Sequence, residues 1–205
     1  TGYTVVPIRL SGIYERISVG RHDPNAHKIY FIFLCKLASE VKAAPTETDR
    51  FQIGLETGND YILKLMNKGV DKATQIKAGI KAMAAGIEIN EFYMPNMGGR
   101  EYARESALDT ADVMNQVNPN FIRIRSMALA ENLEIYEDYT SGLLTRPNDI
   151  ETIQEIRLFI ENLHGITSVV DSDHILNILL ELRGKLPEGK DRMLGTIARF
   201  LDLPE

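Results

Sequence analysis

The 205-residue chain carries 23 lysines and arginines against 29 aspartates and glutamates, a formal net charge of −6. That balance disfavours nucleic-acid binding, which needs a basic face to track phosphates. The single cysteine, Cys35, rules out an internal disulfide, cannot by itself build a thiolate metal site, and fits a reducing, cytoplasmic setting. The longest apolar run, residues 29–35, is far shorter than the roughly 20 residues a membrane span needs, and no signal-peptide pattern opens the chain. One domain over 1–205 is expected from this length. The chain begins at Thr1 without a methionine, so a fragment with an upstream part elsewhere is also expected.

"GYTVVPIRL" and "ERISV" look like strands, and 27–43 is a candidate helix of weak periodicity. From residue 51 the pattern sharpens. "FQIGLE" at 51–56 is strand-like, Asn59 or Asp60 can cap the helix that follows, and Gly69 ends it. Ile76, Ile80 and Met83 then repeat at helical spacing over about 71–85 until Gly86. "IEINEFYM" at 87–94 is the next strand, a helix runs from Glu105 to the turn "NPN" at 118–120, and "FIRIRSM" at 121–127 alternates cleanly. Asn148 caps a helix to about Leu163, "ITSVVD" is a short strand, and two helices are expected at about 174–182 and 188–201. Strands alternating with helices at this spacing predict an α/β fold with a parallel sheet, open or partly closed as a barrel.

In such sheets ligands sit beyond the carboxyl ends of the strands. Alternation groups Gln52, Gly54 and Glu56 against Ile53 and Leu55, Glu91 with Tyr93, and Arg123 with Arg125 against Ile122 and Ile124. The outer face of a barrel meets helices and should be apolar, so Glu56, Glu91, Arg123 and Arg125 are expected to point inward. They form either a self-neutralising salt-bridge network or a polar ligand site, because isolated buried charges cost several kcal/mol each. "MPNMGGRE" at 94–101 suits a loop whose backbone approaches something closely, or plain turn chemistry. His174, beside Asp173, is either a substrate-side group or a solvated first-turn residue.

Together, "IGLETGNDYILKLMNKGV", "AGIEINEFYMPNMGGRE", "ESALDTADVMNQVNPNFIRIRSMAL" and "DSDHILNILLELRGKLP" resemble the second half of a radical S-adenosylmethionine enzyme. The likeness covers about residues 51–190 and is to Fe-S oxidoreductases related to oxygen-independent coproporphyrinogen oxidase and Elongator-type catalytic domains. It implies a partial (β/α) barrel of the TIM-barrel-like type, in which 51–56, 87–94 and 121–127 are the fourth, fifth and sixth strands. It further implies that Glu56, Tyr93, Pro95, Asn96, Arg123 and Arg125 contact S-adenosylmethionine, with His174 on the substrate side. Such enzymes cleave the cofactor reductively at a 4Fe-4S cluster, generating a radical on a small-molecule substrate.

The chain lacks the C-x-x-x-C-x-x-C motif that holds the cluster in the family, and Cys35 in "FIFLCKL" has the setting of a core side chain. The parent protein is therefore expected to carry S-adenosylmethionine and the cluster. These 205 residues alone are expected to hold no metal and to be inactive, with S-adenosylmethionine at most weakly bound. A truncated barrel would expose strand edges, so self-association is also expected. The alternative from another class is a non-catalytic α/β binding module with a charged lumen.

Overall fold

The computed structural model describes residues 5–17, 27–37, 50–129, 131, 133 and 135–203, with 5–17, 27–37 and Arg50 at the level of the backbone. The chain divides into two compact units, Thr1–Thr46 and Glu47–Glu205. In the first, β1 (Val5–Ile17) and β2 (His27–Leu37) pair antiparallel, with Ile13 opposite Phe31 and Cys35 opposite Pro7. The two strand-like runs are thus one strand. The helix expected over 27–43 gives way to a strand across 27–37, and residues 38–43 lie outside the described residues. "HKIYFIFL" is dense in aromatic and β-branched side chains, which fit a pleated surface better than a helix turn.

The second unit is built on β3 (Arg50–Glu56), β4 (Glu88–Tyr93), β5 (Phe121–Ile124), β6 (Val169–Asp171) and β7 (Arg183–Lys185), adjacent in that order. The first four run parallel; β7 returns antiparallel to β6. Between them lie α1 (Asp60–Leu65), α2 (Lys72–Ala84), α3 (Ala103–Val117), α4 (Ile135–Thr140) and α5 (Asp149–Glu161), and α6 (Lys190–Leu201) follows β7. Local signals set the helix boundaries. Asn59 Oδ1 accepts from Ile62 N at 3.1 Å, Asp71 accepts from Thr74 N, and Asn148 and Glu151 form a reciprocal capping box. Gly69 and Gly86, both at φ 75°, occupy the left-handed conformation that stops a helix.

One face of the sheet is covered by helices. Leu55, Ile89, Ile122, Ile124 and Val170 pack with Ala107, Ala111 and Met114 of α3, Ile153, Phe159 and Ile160 of α5, and Ile197 of α6, all 1% exposed or less. A smaller cluster of Ile62, Met97, Ile135 and Leu144 ties α1 and α4 to the β4–α3 connection.

The helix expected at about 174–182 is not formed; the segment is a series of turns that ends in β7. Asn177 explains it. Its amide accepts from Ser126 N and Oγ and donates to Ile124 O and Ser172 Oγ, which pins the chain across the ends of β5 and β6. The Asp171–Arg183 pair then closes the hairpin, leaving Ile175 87% exposed.

Candidate functional site

Strand register sorts the sheet's side chains into two faces, because residues paired across a parallel ladder point the same way. Ile53, Glu91, Ile122 and Val170 form one row, on the helix-covered side. Gly54, Phe92, Arg123 and Asp171 form a row on the opposite, concave side, with Gln52 and Asn90 beneath. Glu91 is therefore separated from the arginines with which the sequence pattern had grouped it. The alternation within its strand holds, but its face is the outer one. There it is 2% exposed, and its Oε2 has no hydrogen-bond partner among the described residues. Burial is the main cause that pushes its carboxyl up to about 8, with Glu56 adding to the rise and Lys68 opposing it.

At the carboxyl end of β3 a register shift between Gly54 and Glu56, and a φ of 65° at Glu56, turn the Glu56 carboxylate back over the concave face. It accepts from Lys68 Nζ at 3.0 Å. A Cβ on residue 54 would lie 2.4 Å from Glu56 Oε1 and 3.2 Å from Lys68 Nζ, so Gly54 leaves the space this ion pair fills. The residues after Glu56 serve packing. Gly58 passes so near α3 that a Cβ would lie 2.3 Å from Asp109 O, and Asn59 caps α1 while donating to Asp109 Oδ2.

At the end of β5, Arg123 pairs with Asp173, Nε donating to Oδ1 at 3.0 Å and Nη2 to Oδ2. Arg125 stacks its guanidinium 4.2 Å from the centre of the Phe92 ring. His174 follows Asp173. Burial first, and the Arg125 charge second, hold its imidazole below the ordinary histidine value, so it is neutral at pH 7. His174 Nδ1 and, lower on the same side, Asn90 Oδ1 have no hydrogen-bond partner among the described residues.

The β4–α3 connection forms the rim beside these groups. Met94 N bonds Glu56 O and Arg125 N bonds Tyr93 O, carrying the ladder one step past the strands. Pro95 is buried, and Asn96 sits at φ 73°. Tyr93 does not face the concave side: it is fully buried, stacks 4.3 Å from Phe159, and donates its hydroxyl to Glu155 Oε1 at 2.8 Å. Gly98 gives way to protein, since a Cβ there would meet Ile62 Cδ1 at 2.6 Å and Tyr102 Cβ at 2.7 Å. Of the residues singled out in the sequence, Glu56, Arg123, Arg125 and His174 thus come to the carboxyl ends of β3, β5 and β6. Lys68 was missed; it lies between Asn67 and Gly69, both in the left-handed conformation, and what places it is its bond to Glu56, twelve residues earlier.

The chain superposes on the archaeal Methanocaldococcus infernus Elp3 with an N-terminal deletion, at a TM-score of 0.52 and 18% identity. The fold is a partial barrel of the radical S-adenosylmethionine type. The match covers 75% of this chain and 36% of the Elp3 chain, so it spans about a third of that chain's length. No family model and no curated protein matches the sequence. Among the described residues no group of three or more His, Cys, Asp or Glu could hold a metal ion, and no helix is long and apolar enough to cross a membrane.

Proposed function

We propose that this chain is the cofactor- and substrate-side part of a radical S-adenosylmethionine enzyme. The observation that carries the reading is the convergence, on one concave face of a barrel of that type, of a carboxylate at the end of β3 with guanidiniums at the end of β5. S-adenosylmethionine presents an ammonium, a carboxylate and a flat base. Glu56 can accept from the ammonium by sharing its carboxylate with Lys68, and Arg123 and Arg125 offer forked donors to a carboxylate. The unpartnered Asn90 Oδ1 and His174 Nδ1 are polar atoms that a bound ligand would satisfy. The cofactor, once reductively cleaved, supplies hydrogen abstraction; the residues here would bind it, orient it and exclude water. A 4Fe-4S cluster does not fit this chain, whose one cysteine cannot supply three thiolates, so its thiolates are assigned to a longer parent protein.

Titration of S-adenosylmethionine into the 205-residue chain, followed by amide NMR, tests this. Expected are shifts confined to the ends of β3, β4 and β5, and a loss of affinity of about 10- to 100-fold in Glu56→Gln, the range for a hydrogen bond to a charged group. No shift at saturating ligand would overturn the reading. A second reading, a binding module whose charges only neutralise one another, is favoured by the Glu56–Lys68 and Arg123–Asp173 pairs and would then stand.

A further inference from the structure

Below the rim, on the helix side of β4, α5 carries one carboxylate in a buried stripe whose other members are apolar except Thr152. Glu155 is 3% exposed and flanked by Ile153, Ile156 and Phe159. Its Oε1 accepts from Tyr93 OH at 2.8 Å and its Oε2 from Asn96 N at 2.9 Å, so one group ties the last residue of β4 to the first turn of the β4–α3 connection. Asn96 is held from other sides too: its Nδ2 donates to Thr152 Oγ1 at 2.9 Å, and Tyr139 OH donates to its carbonyl. These bonds keep an asparagine at φ 73°, in the left-handed region that side-chain-bearing residues uncommonly adopt.

We propose that Glu155 is a positioning residue for the rim of the candidate site, and that the β4–α3 connection is seated only while Glu155 is charged. A carboxylate accepts from both Tyr93 OH and Asn96 N. A carboxylic acid keeps one good acceptor oxygen and donates from the other, so it no longer matches two donors: one of the two bonds is weakened, or is reversed if Tyr93 turns its own proton away from Glu155.

The setting places this change within reach of ordinary pH. Burial pushes the Glu155 carboxyl up to about 7, against the donors Tyr93 from β4, Asn96 from the connection and Ser106 from α3. The groups packed against it carry no positive charge: Tyr93 is held well above its ordinary value, and Tyr139 of α4 is pushed up to about 12, so both stay protonated. Farther out, Arg100 is engaged by Glu151, while Glu101 and Arg146 act on Tyr139. The ligand half of the inference rests on the cofactor reading above; the clamp itself does not.

The test is an amide NMR pH titration of the full chain from pH 5 to 9, with and without S-adenosylmethionine. The Asn96 amide should titrate near pH 7, well above an ordinary glutamate, and become flat in Glu155→Gln. Tyr93→Phe, which removes one bond to the charged form while keeping the ring, should move the midpoint upward. In wild type, ligand affinity should fall as pH drops through that midpoint. Glu56→Gln should keep that pH dependence at lower affinity, whereas Glu155→Gln should lose it. A flat Asn96 amide in wild type, an unchanged titration in Glu155→Gln, or an unmoved midpoint in Tyr93→Phe would overturn the clamp. Absence of ligand binding beside a normal Asn96 titration would overturn the cofactor reading and the ligand half alone.

Discussion

The two faces of the same sheet treat charge in opposite ways. On the concave face Glu56 is matched by Lys68 and Arg123 by Asp173, with side chains 17–31% exposed. On the helix-covered face Glu91 and Glu155 are 2% and 3% exposed, and their carboxyls are raised by burial. A partly exposed pair reached by solvent is worth little to the fold, about 0–1 kcal/mol. A carboxylate buried without a cation instead costs the fold when it is charged, and that cost depends on pH. Paired, partly exposed charges are thus concentrated on one face and buried carboxyls without a cation on the other.

The sharpest way to break that comparison is to damage the helix side alone. Phe159→Ala removes a fully buried ring stacked on Tyr93 and should cost about 3–5 kcal/mol in denaturant unfolding, leaving the concave pairs in place. Glu91→Gln comes next. Since the folded carboxyl sits at about 8 and the unfolded one at 4.5, the folded state binds the extra proton between those values. The contribution of Glu91 to stability is therefore full below pH 4.5 and is lost as pH rises through 8. Glu91→Gln should remove that fall, making the variant about 2–4 kcal/mol more stable than wild type at pH 9; parallel unfolding curves at pH 5 and 9 check it.

Smallest are the concave-face changes. Lys68→Met and Asp173→Asn should each shift stability by about 1 kcal/mol or less, while Lys68→Met should tighten binding of an ammonium-bearing ligand by freeing Glu56. A loss of 3 kcal/mol or more in either would show that the pairs are structural and dissolve the contrast between the faces. Reconstitution of the purified chain with iron and sulfide should give no stoichiometric 4Fe-4S cluster and no reductant-dependent 5′-deoxyadenosine, because one thiolate cannot replace three.

What could be foreseen from the sequence was what neighbours in the chain decide. The β3, β4 and β5 runs, the Asn59 and Asn148 caps and the glycine stops all act within a few residues, and they are where the pattern places them. Alternation also put Glu56, Arg123 and Arg125 opposite Ile53, Leu55, Ile122 and Ile124. Alternation does not say which face is covered. Glu91 was misplaced because its own strand has buried residues on both sides, Ile89 and Tyr93 on one and Asn90 on the other. The 174–182 segment has helical periodicity, but Asn177 binds groups at the end of β5 some 50 residues away, which local spacing cannot reveal. Glu155 went unnoticed for a related reason: in "IQEIRLF" it looks like one more surface charge, and only Tyr93 and Asn96, about 60 residues earlier, give it work.

The Arg125–Phe92 stack also has an optical consequence. The chain contains no tryptophan, so Phe92→Trp would place a single indole under the guanidinium on the concave face. Its emission would report any molecule that displaces Arg125 or covers the ring, against a background supplied by tyrosine alone, and would allow the face to be screened for ligands without assuming what they are.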